Sequence, residues 1–413
     1  MRNPFTGSQS SLREANKALL FDTIQKFGSL TQVELAENTG LSTATVSNLV
    51  RQLVDDGVFE TSSSIRSGRR ASLVSISRRE GITAGFCIGV RSLDLCITDS
   101  ANTLLAQHSL PLGARHQADS TLERSAVLLK ETLTSIDASA DELIGIGVGL
   151  SAPVDYKLQK ISVSGILPGW EDVDIPGYYS SIFHVKTTID NDANLAALAQ
   201  LRLSSTEERE ADFVFINAGD GIGSGIVVNG QIMRGATGMA GEIGHIQVDP
   251  LGGVCSCGNR GCLNTVVNEQ RLVSLLAVTH GNITTLDDLI EQANSGDAGC
   301  RRVISDAALR IGTAVADLCI SVDPEVIILG GKLAAARDSF FDSFQESVQR
   351  LLFPEVLTPI KIILADPSLT RPERGAALLG LESASSISRI KLDSIAAQDV
   401  DTGTARKEGP HDR

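Results

Sequence analysis

The sequence predicts a mixed α/β protein in which a small helical head precedes a larger two-lobed body. Its 413 residues exceed what a single hydrophobic core usually holds, so at least two domains are expected. From residue 81 onward, apolar strands punctuated by glycine alternate with helical segments, which is typical of a mixed α/β body. The distribution of charge marks the same division.

The charge is unevenly distributed along the chain. Residues 1–80 carry a net charge of +2, whereas the remaining residues carry −16. A mildly basic module on an acidic body fits a nucleic-acid-binding head on a ligand-binding body. Chance variation between two ordinary domains would give the same division, so this observation needs a motif to support it.

The composition excludes several classes of protein. An apolar fraction of 42% is too high for a wholly disordered chain, and the residue mix fits neither a collagen-like nor a disulfide-scaffold protein. No run of about 18 apolar residues occurs, so we expect no membrane partner. The first ten residues lack the apolar segment and cleavage site of a secretory signal, and we therefore expect a cytoplasmic protein.

The first eighty residues predict a helix-turn-helix. Gly28 ends a first amphipathic helix, and Thr31 with Glu34 forms a capping box that starts a second. Gly40 ends the second helix and Ser42 caps a third. Apolar side chains recur at helical spacing in all three, namely Leu20, Ile24 and Phe27, then Val33, Leu35 and Ala36, then Val46, Leu49, Val50, Leu53 and Val54.

A wing follows in the sequence, as two short strands at residues 58–61 and 73–76 around a basic turn. Short hydrogen-bonding side chains at the start of the third helix would contact base edges and phosphates, and the wing arginines would bind phosphates or the minor groove. The predicted contacts with double-stranded operator DNA are Ser42, Thr43, Thr45, Ser47, Asn48, Arg51, Arg66, Arg69 and Arg70. The open alternative is a generic three-helix cap with solvated arginines.

The sequence of the body predicts a duplicated α/β fold. Predicted strands lie at residues 84–90, 93–99, 144–150, 213–217, 226–228 and 324–331, and predicted helices at 122–136, 194–203 and 307–320. A glycine-rich hairpin occurs early in each half, which suggests two lobes with a cleft between them. Such hairpins let backbone N–H groups approach phosphates, but glycines also simply make turns.

Polar side chains follow a predicted strand at residues 189–194. Asn191 and Asp192 stand where this strand ends and a helix begins. An amide and a carboxylate exposed at such a junction can bind a polyol hydroxyl, and the carboxylate can accept its proton. In the alternative interpretation, Asp192 is only the N-cap of the helix.

The strongest chemical signal is a cluster of metal-ligand residues. His245, Cys255, Cys257 and Cys262 fall within eighteen residues, and Gly258 and Gly261 permit the tight turns between the cysteines. One imidazole and three thiolates match a closed tetrahedral zinc site. Since no ligand position is left for water, the expected Zn²⁺ is structural.

These residues together resemble the ROK family of repressors, open reading frames and sugar kinases, in particular its repressors that respond to xylose, glucose or N-acetylglucosamine. The resemblance spans residues 13–383 and is carried by the wing turn at 68–70, the segments 190–194 and 242–245, the His/Cys₃ cluster, and the segments 323–325 and 330–331. It implies an actin/hexokinase-like (ribonuclease H-like) two-lobed body. It also implies sugar contacts at Asn191, Asp192, Glu242 and His245, with Asp192 as general base if phosphoryl transfer remains.

The resemblance also sets the expected domains. The winged helix-turn-helix occupies residues 1–80, the first lobe 81–194 and the second lobe with the zinc site 195–372. A C-terminal helix at 373–385 is expected to pack back on the first lobe. Residues 386–413, polar and without periodicity, are expected to be disordered.

Departures from the family's kinases weaken the implied nucleotide site. The kinases' first phosphate loop reads Asp-x-Gly-Gly-Thr, whereas residues 87–91 read Cys-Ile-Gly-Val-Arg. Their second loop usually reads Gly-Thr-Gly, whereas Asp220 here places a negative charge where ATP phosphates would lie. Three positions near the sugar also differ, at Ala152, Ile166 and Asn264.

Two functions from different classes follow. The favoured one is a transcriptional regulator, and more specifically a repressor, whose body senses a sugar or sugar phosphate and which is not an enzyme. Because specific DNA binding usually needs two half-sites, it would be a homodimer or homotetramer. The alternative is an ATP-dependent sugar kinase that carries a DNA-binding head. A regulator that has lost effector binding and answers to a protein partner also remains open.

Overall fold

The computed structural model describes residues 9–66, 69–76, 81–113, 115–204, 212–353 and 359–384. The described residues before position 77 belong to one compact unit, called the head here. Residues 81–380 form the other unit, called the body. The predicted disordered tail lies outside the described residues.

The head consists of three helices and a three-stranded sheet. Its elements are α1 (Gln9–Phe27), β1 (Leu30–Thr31), α2 (Gln32–Thr39), α3 (Thr43–Asp55), β2 (Phe59–Arg66) and β3 (Arg69–Ile76). The sheet has the order β1-β3-β2, and both pairs of strands are antiparallel. Fully buried apolar side chains from all three helices, such as Leu20, Leu35 and Val46, form its core with Phe59 and Val74.

Local hydrogen bonds set the helix ends of the head. Thr31 and Glu34 form the predicted capping box, and Gly40 ends α2 with a φ of 69°. The hydroxyl of Ser42 accepts from the backbone N–H of Thr45 and so caps α3. These three predictions are confirmed.

The wing strands are longer than the sequence predicts. We expect strands only at 58–61 and 73–76 because serine-rich segments favour turns. In the structure, β2 and β3 pair over eight residues each, up to a pairing of Arg66 with Arg69. The ladder satisfies the backbone groups of the serine run, and this outweighs its weak strand preference. Residues 67–68 of the turn are not among the described residues.

The body is built on two five-stranded sheets of the same design. The first contains β4 (Ile82–Ile88), β5 (Ser92–Asp99), β6 (Leu104–Pro111), β7 (Leu143–Leu150) and β10 (Thr187–Asn191) in the order β10-β7-β4-β5-β6. The second contains β11 (Phe213–Ala218), β12 (Ile222–Val228), β13 (Gln231–Ile232), β14 (Val326–Gly330) and β15 (Lys361–Leu364) in the order β13-β12-β11-β14-β15. In each, a three-stranded antiparallel meander continues into two parallel strands. This repetition agrees with the predicted two-lobed architecture.

Helices cover the sheets, and a small hairpin, β8 (Val154–Asp155) with β9 (Lys160–Ile161), extends the region near β10. The helices of the body, the last of which extends four residues past its limit at residue 380, are α4 (Ala118–Ser135), α5 (Ile175–Phe183), α6 (Asp192–Leu203), α7 (Asn264–Val267), α8 (Glu269–Leu276), α9 (Leu286–Asn294), α10 (Ala298–Val322), α11 (Asp338–Leu351) and α12 (Pro372–Ala384). Separate apolar cores lie against the two sheets. The predicted helix at 307–320 forms the second half of α10, which begins at Ala298 and already buries Cys300, Val303 and Ile304 at helical spacing in its first half.

The helix α12 lies directly against the first sheet. A side chain at Gly85 would overlap the carbonyl oxygen of Glu373, and one at Gly147 would overlap that of Ala376. The thiol of Cys96 donates to the Glu373 carbonyl at 3.1 Å. Glycine is therefore required at both strand positions because no Cβ fits between the strand and the helix.

Among the described residues, no helix combines the length and the apolar character that crossing a membrane demands.

Candidate sugar-binding cleft and metal centre

A cleft of about 1900 Å³ opens in the body where strands of both sheets end. Gly89 follows β4, Ser151 follows β7 and Asn191 ends β10, while Gly219 follows β11 and Gly331 follows β14; all five line the cleft. The carboxyl ends of parallel strands are where α/β proteins commonly bind ligands. The structure thus brings both predicted glycine loops and the predicted sugar contacts to one cavity.

Asn191, and not Asp192, caps the helix α6. Its side-chain oxygen accepts from the N–H groups of Ala193 and Asn194 at 2.8 and 3.2 Å and caps α6. The interpretation of Asp192 as the N-cap is therefore wrong, since Asp192 is the first residue of the helix itself. The amide nitrogen of Asn191 donates to the Ala152 carbonyl at 3.2 Å, so most of the polar atoms of this side chain are already satisfied.

The carboxylate of Asp192 lines the cleft and is held by two donors. Its Oδ2 accepts from the hydroxyl of Ser151 at 2.6 Å, and its Oδ1 accepts from the Ala193 N–H at 2.8 Å. Burial raises the pKa of Asp192 above its ordinary value, while these hydrogen bonds act in the opposite direction. Sequence reasoning did not single out Ser151, although its position directly after a predicted buried strand could have indicated it.

Glu242 faces the same cavity from the second half of the body. Its Oε1 lies 3.4 Å from the amide nitrogen of Asn191. Burial, and then the nearby charge of Asp192, raise the pKa of Glu242 to about 8. Two carboxyl groups that face one cavity offer several acceptors for ligand hydroxyl groups, and one of them is protonated at neutral pH and is also a donor.

His245 lines the cleft as well and is half-buried. It closes a short 3₁₀ turn that begins at Ile243 and follows Glu242. Burial lowers the pKa of His245, which favours the neutral imidazole that a metal ion needs. The two predicted roles of His245, sugar contact and metal ligand, meet in this turn.

The first glycine loop lacks the carboxylate of the kinases. Cys87 occupies that position, and burial followed by the charge of Asp192 raises its pKa well above the ordinary value. The thiol is therefore neutral at physiological pH. A neutral thiol is a poor partner for Mg²⁺, which prefers oxygen ligands.

In the second glycine loop, the negative charge of Asp220 is paired with a lysine, which the sequence does not predict. The Nζ of Lys332 lies 3.3 Å from Asp220 Oδ1 and 3.8 Å from Asp287 Oδ2. Lys332 stands 112 positions after Asp220, so no local pattern predicts that the two residues pair. The lysine neutralises part of the repulsion that we expect from Asp220 alone.

The predicted metal ligands come together. One potential ligand atom each from His245, Cys255, Cys257 and Cys262 lies within 4.8 Å of every other. The Cys257 and Cys262 sulfurs are 3.7 Å apart, and His245 Nδ1 is 3.5 Å from Cys255 Sγ. Ligands of one tetrahedral zinc ion lie about 3.5–3.8 Å apart, so the four residues fit such an ion. Zn²⁺ bound here would fix the turn that carries Glu242 and His245.

The two glycines of this module adopt the predicted tight turns. Gly258 has a φ of 89° and Gly261 a φ of 68°. At Gly261 a side chain would also overlap the carbonyl of Asp249. The left-handed backbone explains why glycine separates the cysteines at both positions.

In the head, the predicted DNA-contacting residues of α3 are unevenly exposed. The side chains of Ser42, Thr43, Asn48 and Arg51 are exposed, and those of Thr45 and Ser47 are half-buried. Thr45 is partly engaged at the helix start, where its hydroxyl lies 2.8 Å from that of Ser42. Arg66, Arg69 and Arg70 lie in the strands at the wing turn, and only their backbone is described.

Known proteins match both parts of the chain. A model of the ROK family matches residues 83–383, and a model of winged helix-turn-helix DNA-binding domains matches residues 17–60. The putative xylose repressor of a Caldicellulosiruptor species is 27% identical over 362 residues, which are 84% of this chain and 90% of the relative. The DNA-binding transcriptional dual regulator NagC of Escherichia coli is 27% identical over 374 residues, with 87% and 91% covered.

Solved structures share the fold. A ROK family transcriptional regulator, described as a homolog of the Escherichia coli MLC protein, aligns with a TM-score of 0.72 at 21% identity and covers 90% of this chain and 96% of its own. A ROK family glucokinase from Streptomyces griseus, solved with glucose and AMPPNP, aligns with a TM-score of 0.64 at 24% identity over 73% of this chain and 100% of its own. The predicted hexokinase-like fold class is confirmed. The chain therefore belongs to the ROK family.

Proposed function

We propose that this protein is a sugar-responsive DNA-binding transcriptional repressor. The observation that carries the proposal is the presence in one chain of a winged helix-turn-helix with an exposed polar recognition helix and of a cleft with two carboxyl groups. The names of its relatives, a putative xylose repressor and a transcriptional regulator, support the same combination. The sugar would bind in the body and alter the affinity of the protein for DNA.

The ligand contacts follow from the cleft. Asp192 and Glu242 would accept hydroxyl hydrogen bonds, and Asn191 and His245 would complete the site. The sugar must compete with water for these groups, so at least two simultaneous contacts are needed for useful affinity. A sugar or a sugar phosphate would fit the volume of the cavity.

We assign structural Zn²⁺ to His245 with the three cysteines. The ion would supply stability to the loop of residues 245–262 and keep no open position for chemistry. The arrangement of its ligands supports this role, because one potential ligand atom from each of the four residues lies within 4.8 Å of every other. The fixed loop would in turn hold Glu242 toward the cavity.

For the head, we propose the operator contacts predicted from the sequence, with the recognition helix α3 in the major groove and the wing arginines on phosphates. A homodimer or homotetramer would present two such heads to two half-sites. The domain boundaries expected from the sequence, at residues 80, 194 and 372, are proposed as the limits of head and lobes.

The alternative, an ATP-dependent sugar kinase, is favoured by the likeness of the fold to a glucokinase. Against it stand the neutral Cys87 thiol and the Asp220–Lys332 ion pair in the two loops that would hold nucleotide phosphates. Phosphoryl transfer depends on positioning Mg·ATP. A neutral thiol binds Mg²⁺ poorly, and Asp220 would compete with the phosphates for Lys332. We therefore propose that the body retains sugar recognition without efficient catalysis.

The test combines two measurements on the full-length protein. Selection from a random duplex library should enrich a sequence with two related half-sites. A thermal-shift screen of D-xylose, D-glucose, N-acetyl-D-glucosamine and their phosphates should identify a ligand that raises the melting temperature, because it binds only the native state. The same ligand should change affinity for the selected DNA. A protein that enriches no sequence, or whose DNA affinity no stabilising sugar alters, would contradict the proposal.

A further inference from the structure

A buried ion pair joins the two sheets of the body beside the candidate sugar site. The Nε of Arg234, just after β13, donates to Oδ2 of Asp190 in β10 at 2.7 Å. The side chain of Asp190 is only 1% exposed. The guanidinium group of Arg234 also lies 4.1 Å from the centre of the Tyr156 ring, at a distance typical of a cation–π contact.

The Asp190 end of this pair is tied to the ligand residues of the first sheet. Its other oxygen, Oδ1, accepts from the backbone N–H of Asn191 at 2.8 Å and from the side-chain amide of Asn194 at 3.1 Å. Asn191 and Asp192 follow directly in the chain. The orientation of Asp190 therefore fixes the backbone from which both of these side chains project.

At the other end of the ion pair, Arg234 stands at the start of the loop that leads to Glu242. The carbonyl of Arg234 accepts from the N–H of Ala240, so the chain folds back on itself before it reaches Glu242. Within this loop, the Thr237 carbonyl accepts from the hydroxyl of Ser162 at 2.5 Å. Arg234 thus anchors the loop at its start, close to the residues where it ends.

The direct link between the two sides of the site is weak by comparison. The amide nitrogen of Asn191 is 3.4 Å from Glu242 Oε1, near the upper limit for a hydrogen bond. The carboxyl groups of Asp192 and Glu242 also repel each other when both are charged. A charge-assisted hydrogen bond of 2.7 Å is much stronger than the long amide contact, so the ion pair is the stronger of these two links between the segments.

We propose that Arg234 is a positioning residue that clamps the Glu242 segment of the second sheet to the Asn191–Asp192 segment of the first. It contacts no ligand. Instead it acts through Asp190 and sets the spacing between the acceptors on either side of the cleft. The consequence for ligand affinity rests on the proposed function, whereas the clamp itself can be tested without a ligand.

Amide hydrogen exchange on the zinc-loaded full-length protein tests the clamp. In Arg234→Met, exchange in peptides that cover 187–194 and 236–246 should rise about tenfold, as expected for the loss of one charge-assisted hydrogen bond. Arg234→Lys, which keeps the charge, should recover part of the protection. Arg302→Ala removes an exposed arginine, paired with Asp306 on α10, and should change neither peptide.

A double variant separates positioning from the cost of a buried unpaired charge. Asp190→Asn with Arg234→Met removes both charges, so its melting temperature should recover toward that of the wild type. If Arg234 positions the Glu242 segment, exchange at 236–246 stays high in this variant despite the recovered stability. Exchange that returns to the wild-type rate together with the melting temperature would overturn the proposal.

Calorimetry with D-xylose, D-glucose and N-acetyl-D-glucosamine tests whether loss of the ion pair weakens sugar binding. Whichever sugar binds the wild type should bind the double variant at least about tenfold more weakly, as loss of one well-placed hydrogen bond predicts. Undiminished affinity in the double variant would refute the positioning role. If no sugar binds the wild type, the proposed sugar response fails, and the exchange measurement alone decides whether the clamp exists.

Discussion

At the residue scale, the cleft contains two carboxyl groups, those of Asp192 and Glu242, that are largely buried away from water. Asp192 is held by Ser151 and by the start of α6, and Glu242 is buried beside it. Burial disfavours the charged form of each, which costs stability unless a ligand supplies compensating hydrogen bonds. Binding sites commonly sacrifice stability in this way, because groups satisfied within the protein are less available to a ligand.

The raised pKa of Asp192 predicts how stability changes with pH. Because the folded state holds this proton more tightly than the unfolded state, the group lowers stability as the pH rises from about 4, the ordinary aspartate value, through its raised pKa. Asp192→Asn removes that loss. Urea unfolding between pH 4 and 7 should therefore show a smaller decline with pH in the variant than in the wild type.

Asp306→Asn, on the surface of α10, is the control and should follow the wild-type curve. All other titrating groups are shared, so the difference between the curves reports the titration of Asp192 together with the effect of its charge on the pKa of Glu242. Parallel curves for Asp192→Asn and the wild type would mean that burial does not perturb this carboxyl group.

The second prediction at this scale concerns the proposed zinc ligands. Cys257→Ala should lose the metal and lower both the melting temperature and the response to an effector, because the loop that leads from Glu242 is no longer fixed. Ser256→Ala changes the neighbouring residue, which is not a proposed ligand, and should keep the metal. Elemental analysis of both variants provides the measurement. One zinc per chain retained in Cys257→Ala would show that the ligand set is wrong.

At the element scale, helix caps and strand lengths determine which side chains of the head are available to contact DNA. The hydroxyl of Ser42 is used as a cap, so it is less available to DNA than its exposure suggests. The paired strands β2 and β3 extend the wing to eight residues a side and carry Arg69 and Arg70 at its end. A long wing can reach the DNA backbone beyond the groove that we propose for α3.

Arg69→Ala with Arg70→Ala should therefore weaken binding to specific and non-specific duplexes alike. Two lost phosphate contacts should reduce the slope of log affinity against log salt by about 2, since each contributes about 0.9. The matched control is Arg302→Ala with Arg310→Ala, which removes the same charge from exposed positions on α10. Titrations at several salt concentrations measure both. An unchanged slope in the wing variant would show that Arg69 and Arg70 do not contact the DNA phosphates.

At the scale of the whole molecule, the body keeps the architecture of a sugar kinase but has altered both of its glycine loops. Cys87 belongs to the first sheet and Asp220 follows a strand of the second, and both line the cleft. The carboxylates of the proposed sugar site remain in place. This pattern is consistent with selection for recognition rather than turnover.

A coupled assay with Mg·ATP and common hexoses should accordingly give turnover far below the about 1–10³ s⁻¹ typical of enzymes. The physical reason is that the first loop has a neutral thiol in place of a carboxylate, and the second has a carboxylate that would compete with the phosphates for Lys332. The Streptomyces griseus glucokinase is a positive control for the assay. Turnover in the normal range that Asp192→Asn abolishes would make this protein a kinase with a DNA-binding head.

The sequence by itself determined the features that depend on near neighbours in the chain. The capping box of Thr31 and Glu34, the glycine turns at Gly258 and Gly261, and the alternation of strands and helices all arise from interactions over a few residues. Only the tertiary structure decided which distant groups meet. Lys332 neutralises Asp220, Ser151 holds Asp192, and Arg234 anchors to Asp190, at separations of 41 to 112 residues. The first two pairs form where neighbouring parallel strands of one sheet end side by side, and the third forms between the two sheets. No local pattern specifies that geometry.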